Sequence, residues 1–278
     1  MTSTSDSTPA QAAALHPHGL SRSLIAHPRY GPLPGLLLIL TVVTGVVDSI
    51  SILALGRVFV ANMTGNVVFA GFAIVGAPGF SLSSSLFALA GFLVGAAAGG
   101  AMISRVGSDR GALLRAGGLA EVALAAVALV LAALSGAPGV THGTTDMTAG
   151  AFGPAVTDAL AAVLAAAMGI QNAVARKLAV PDLTTTVLTM TLTGIGADLR
   201  AVLRGGEAHA TAKSDLFRRL LAIGTMLAGA LAGASLTLYV SPLAALTLAL
   251  SLLAVTAAAA VAAATGPAPW RTPPPRVG

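Results

Sequence analysis

Apolar residues run along this chain in long blocks, and charges fall almost only between them. Leu36–Val47, Leu82–Ser104, Val122–Ser135 and Leu236–Ala264 carry no charged residue at all. Runs of about 18 or more apolar residues mark helices that cross a bilayer. The pattern predicts full spans over residues 36–56, 83–104, 115–136, 157–177, 217–239 and 243–264. Two further segments fit less well. Residues 58–76 follow the first span after almost no loop, and residues 183–197 (LTTTVLTMTLTGIGA) are short for a crossing and hold six threonines.

The two halves resemble each other. GVVDSI from Gly45 resembles GIQNAV from Gly169, RVFVANMT from Arg57 resembles KLAVPDLT from Lys177, and VGAAAGGA from Val94 resembles AGALAGAS from Ala228. The order is the same in both halves, which implies a duplication with gaps. Each repeat would then be one span, one polar broken segment and two more spans.

Lys and Arg accumulate on the cytoplasmic side of a membrane protein, so they discriminate between topologies. If both irregular segments cross, eight spans place nine basic residues inside and six outside. If both are re-entrant, six spans place fourteen inside and only Arg57 outside. The second arrangement is the expectation adopted: an all-α membrane protein of about six transmembrane helices, two broken or re-entrant segments and two inverted repeats. Eight spans with parallel repeats is the alternative. The organisation expected is a disordered cytoplasmic tail over 1–35, a first membrane repeat over 36–136, an external loop over 137–156, a second repeat over 157–265, and a proline-rich cytoplasmic tail over 266–278.

Composition agrees. Hydrophobic residues make up 55% of the 278 and charged residues 9%, with a mean hydropathy of +0.87, outside the ordinary globular range. The net charge is only +5 and the basic residues sit at span ends, so orientation accounts for them and nucleic-acid binding is discarded. There is no cysteine, and all five histidines lie in predicted tails or loops, so no metal site and no cofactor is expected. The first 35 residues lack the basic start, apolar run and small-residue cleavage site of a signal peptide. Thirteen of the fifteen basic residues are Arg, which with the alanine excess points to a GC-rich bacterial genome, and the tally of basic residues in the six-span arrangement puts both termini on the cytoplasmic side.

Polar residues inside the spans are the candidates for chemistry. Asp48 lies near the middle of the first span, where a carboxylate costs about 2.5–3.5 kcal/mol and must face protein or water. Its counterpart in the second half is Asn172, beside Gln171. The Asn62-Met63-Thr64-Gly65-Asn66 cluster suits a break in a helix, because Gly permits unusual backbone angles and amides satisfy freed peptide groups. Its partner segment is Pro181-Asp182-Leu183-Thr184-Thr185-Thr186. Asn62 and Asp182 also read as helix N-caps. Arg57 is a candidate to pair with Asp48 or a solute anion, and Glu121, about two turns into its span, reads as a structural acid. Gly91, Gly95 and Gly99, like Gly229 and Gly233, fall four apart and make small faces for helix packing. Those faces leave a monomer and a homodimer equally open.

These motifs resemble the YoaK family of bacterial membrane proteins, also catalogued as a domain of unknown function. The resemblance covers about Leu36 to Ala264 and rests on TGVVDSISILALGRVFVANMTGN and GIQNAVARKLAVPDLTTTVLTMTLT. The Asp in the first span, the MTGN stretch, the later QN, the PD and the threonine run all match. The resemblance implies a polytopic inner-membrane protein. The function expected is a secondary permease for a small polar or anionic solute in contact with the lipid bilayer, proton-coupled through Asp48. A passive channel and a non-transporting scaffold or sensor are the alternatives. No enzyme is expected, since paired acids, metal-binding histidines and an associated Ser and His are all missing from the pattern.

Overall fold

The computed structural model describes residues 30–136, 151–178, 180, 191–196, 208–265 and 270–271, with the backbone alone for 208–215. Among these residues seven helices of twelve residues or more emerge: α1 (Leu33–Ala54), α2 (Met63–Ile74), α3 (Leu82–Val106), α4 (Arg110–Leu134), α5 (Pro154–Leu178), α6 (Ala208–Tyr239) and α7 (Pro242–Ala263). Residues 191–196 form one more helical turn and a half. All but α2 are long and apolar enough to cross a membrane, α6 through its Leu216–Tyr239 portion. At 1.5 Å per residue α2 is only about 18 Å long, short of a hydrocarbon core of about 30 Å.

Local chemistry sets the ends. Ser81, Asp109 and Ser241 cap α3, α4 and α7, each side-chain oxygen accepting from the backbone N–H three residues on, at 3.2, 3.0 and 3.1 Å. Because Asp109 caps there, α4 starts at Arg110 and not at residue 115. Gly107 closes α3 in a positive-φ conformation (71°) that only glycine adopts without strain.

Glycine contacts fix the helix directions. Gly91 and Gly95 of α3 meet Ala162 and Ala166 of α5, and Gly229 and Gly233 of α6 meet Val42 and Val46 of α1. Each pair therefore runs parallel. Gly111 and Gly118 of α4 meet Ala264 and Ala257 at the end of α7, so that pair is antiparallel. Tight turns reverse the chain between α3 and α4 and between α6 and α7. It follows that α1, α4 and α6 run one way and α3, α5 and α7 the other.

The two parallel crossings also match in detail. A Cβ placed on Gly45 would stand 2.7 Å from the Ala230 nitrogen and 3.1 Å from the Gly229 carbonyl carbon; one on Gly169 would stand 2.8 Å from the Ala96 nitrogen and 3.1 Å from the Gly95 carbonyl carbon. No side chain fits at either crossing. The glycine faces of α3 and α6 are thus filled by α5 and α1 of the same chain.

One end of the bundle is latched by residues that the sequence reading assigned to tails. Trp270 packs on Gly31, the Arg110 guanidinium lies 5.4 Å from the Tyr30 ring centre, and the Arg110 N–H donates to the Arg271 carbonyl at 2.9 Å. Arg271 donates to Asp109 through both Nε and Nη2, and through Nη1 to the Ala264 carbonyl at 2.9 Å. This pairing holds the Asp109 carboxyl below the ordinary carboxylate range. A carboxyl whose folded pKa is lowered contributes stability above its unfolded pKa and loses it as pH falls through the folded value. Thermal unfolding of the purified protein should therefore show an acid-side loss of stability that is smaller in Asp109→Asn. Equal acid sensitivity in the variant would remove the ion pair from the account.

Candidate functional site

After Ala54 the chain leaves the helix, and residues 55–62 run as turns and extended backbone before α2 begins. Leu55, Val58, Val60 and Ala61 are buried, so this backbone lies inside the protein. Buried peptide groups need partners. The Ser51 and Ile52 carbonyls accept from the Leu55 and Arg57 N–H groups, and two polar side chains supply partners farther along.

Asp48, on α1, is 9% exposed, and its Oδ1 accepts from the Ala61 N–H at 3.2 Å. Asn66, on the first turn of α2, is fully buried; its Oδ1 accepts from the Phe59 N–H at 2.8 Å and its Nδ2 donates to the Phe59 carbonyl at 2.6 Å. The Asn66 amide thus pairs with Phe59 as a neighbouring strand would. A Cβ on Gly65 would run into the Phe59 ring, which explains the glycine there. Outside this clamp, Phe59, Phe69, Phe72 and Phe80 form an aromatic cluster with centroids 5.0–6.2 Å apart.

The other sequence candidates fall in different places. Asn62 occupies the N-cap position of α2, but its side chain makes no cap bond; it is exposed, as is Thr64. Arg57 does not pair with Asp48: its guanidinium lies 5.7 Å from the Phe80 ring centre, and its backbone takes a positive φ of 59°. Gln171 is fully buried and donates through Nε2 to the Thr44 Oγ1 at 2.9 Å, joining α5 to α1 one turn from Asp48. Asn172, the residue aligned with Asp48, donates to the Met168 carbonyl of its own helix at 2.8 Å. Asp182, Thr184, Thr185 and Thr186 lie outside the described residues.

Three residues enter that sequence reasoning missed or set aside. Thr44 anchors Gln171 while donating to the Leu40 carbonyl at 3.0 Å. Asp158, at the start of α5, accepts from the Ser84 hydroxyl at 2.6 Å at the end of the bundle where α1 finishes. Glu121, on α4, is 2% exposed and makes no hydrogen bond, with its Oε2 fully enclosed. A carboxyl within a charge-poor apolar run was the available signal for it. Among the described residues no group of three His, Asp or Glu is placed to hold a metal.

Chemically the site is a polar seam at the junction of α1, α5 and the unwound segment, with one carboxylate, two primary amides and hydroxyls. Such groups can bind and orient a polar solute or carry a proton.

The chain matches the family model described as "Protein of unknown function (DUF1275)" over residues 36–259. It is 34% identical over 197 residues to the UPF0700 transmembrane protein YoaK of Bacillus subtilis (strain 168), an alignment covering 70% of this chain and 80% of that relative. No solved structure matches.

Proposed function

The chain belongs to the DUF1275 family, and from that premise we propose that it is a secondary permease moving a small polar or anionic solute across the bacterial inner membrane. Two inverted halves alternate access to the seam, and Asp48 carries the coupled proton. The observation that carries this reading is the buried, non-helical backbone held at Asp48. Six residues separate Asp48 from the end of α1, so Ala61 is drawn back about 9 Å from that end. Irregular backbone at membrane depth is tolerated only where protein or a wet cavity surrounds it. Residues 55–81 are accordingly a re-entrant segment, entering and leaving on the side where α1 ends and α3 begins.

The opposed directions of α1 and α5, and the matched glycine crossings, support the inverted halves. Arg105, Arg110, Arg115, Arg176, Lys177 and Arg271 gather at the end where α1 begins, whereas Arg57 stands at the other. The positive-inside rule makes the first end cytoplasmic, with both termini on that side.

The test uses proteoliposomes loaded with a pH-sensitive dye and challenged with a panel of small organic and inorganic anions. At least one solute should acidify the lumen with the wild-type protein, and Asp48→Asn should reduce that rate about tenfold or more. Asn can still accept from the Ala61 N–H, so the variant keeps the clamp. Solute-driven acidification of unchanged rate in Asp48→Asn would refute the coupling role.

A further inference from the structure

Glu121 and Gln171, both enclosed by the bundle, each hold a buried acceptor oxygen that has no hydrogen-bond partner. Glu121 makes no hydrogen bond, and Gln171 uses Nε2 on Thr44 while its Oε1 has no partner. Both are at least 98% buried, at 2% and 1% exposure. Their orphan atoms are all acceptors.

Register brings them to one level. Gly117 of α4 packs on Val174 of α5, where a Cβ would stand 2.9 Å from Val174 Cγ2, and these helices run antiparallel. One turn onward along α4 is Glu121, and one turn back along α5 is residue 170 or 171. Gln171 and Val174, three apart, share a helix face, as do Gly117 and Glu121, four apart. Gly118, packed on Ala257, turns the adjoining face of α4 to α7.

We propose that Glu121, facing Gln171 between α4 and α5, is a reversible proton-binding site at the centre of the bundle, distinct from Asp48. Protonation adds one proton from water to the carboxylate and breaks no other bond. It turns one orphan acceptor into the donor that Gln171 Oε1 lacks, and extends a chain of hydrogen bonds through Thr44 to the Leu40 carbonyl of α1. Among the described residues no fixed charge stands in for the proton. The helices packed on α4 present few titratable groups: α7 has none, α3 has Arg105 at its far end, and α5 has Asp158 at one end and Arg176 and Lys177 at the other. On α4 itself Arg110 and Arg115 lie toward the latched end, Arg115 about 9 Å from Glu121 along the axis.

The experiment is labelling of the full chain in lipid nanodiscs with dicyclohexylcarbodiimide, which reacts with protonated carboxyls from the apolar phase, read by peptide mass spectrometry. Glu121 should be modified, and the labelling rate should fall about tenfold per pH unit above a single midpoint. Gln171→Leu should move that midpoint, and Glu121→Gln should remove the modified peptide. Labelling that does not change with pH would overturn the proposal, because a permanently neutral structural acid behaves that way, and absent labelling would overturn it by showing that Glu121 does not take up the proton. Protection by sodium at fixed pH would also overturn it, by making the ligand a metal cation. No solute is present in this assay, so its outcome is separate from that of the transport experiment.

Discussion

Gly95→Leu should leave little folded protein, whereas Gly100→Leu on the same helix should be tolerated. A Cβ at Gly95 would overlap the Ala166 carbonyl and stand 2.7 Å from Ala166 Cα, both backbone atoms of α5 that cannot swing aside. Nothing lies within 4 Å of the corresponding position at Gly100. Overpacking usually costs about 1–3 kcal/mol where side chains can adjust, and the cost here should exceed about 3 kcal/mol because the helices must separate. Gly229→Leu, which meets the Val42 backbone at the matching crossing of α6 on α1, should behave alike. Thermal unfolding of the detergent-purified variants, with recovery of monodisperse protein, gives the comparison. A Gly95→Leu protein as stable as Gly100→Leu would mean that α3 and α5 do not approach this closely.

Asn66→Ala is the second large effect. The substitution strips partners from the N–H and the carbonyl of Phe59, both in buried, non-helical backbone. Each unsatisfied group costs about 1–3 kcal/mol. The loss should fall on residues 55–62 first, since the surrounding helices keep their own ladders. Hydrogen exchange should speed up at Phe59 and Ala61 by at least an order of magnitude while α1 and α5 stay protected. Asn66→Asp retains an acceptor but no donor and should lie between the two. Uniform exchange in all three proteins would show that the clamp does not hold the segment.

Much of this arrangement was legible because membrane helices advertise themselves by length and polarity. The six spans and the exceptional character of residues 58–66 follow from apolar runs and their interruption. Span ends were less legible: α4 begins five residues before its apolar run because Asp109 caps it, and a cap is one residue against a whole hydropathy window. The partner of each buried polar group was hidden for a different reason. Asn66 reaches back seven residues to Phe59, and Gln171 reaches across 127 residues to Thr44, contacts that depend on a chain reversal and a helix crossing that no local pattern contains. Alignment of the halves singled out Asn172 as the mate of Asp48, yet the neighbouring Gln171 is the residue that crosses to α1. Trp270 and Arg271 looked like tail because proline dominates their surroundings, whereas their aromatic and guanidinium groups dock on Gly31 and Asp109.

The central claim is that residues 55–81 return to the side they entered from, so that the two halves are inverted. The chain has no cysteine, so single cysteines at Ser108 and Ser135 can be probed one at a time in intact cells with a membrane-impermeant thiol reagent. Both positions are exposed, at opposite ends of α4. Labelling of Ser135→Cys in intact cells, with Ser108→Cys labelled only after permeabilisation, is the predicted result. The reverse pattern, with a cysteine at Ser23 ahead of α1 still labelled only after permeabilisation, would make α2 part of a full crossing, set the halves parallel, and contradict the account.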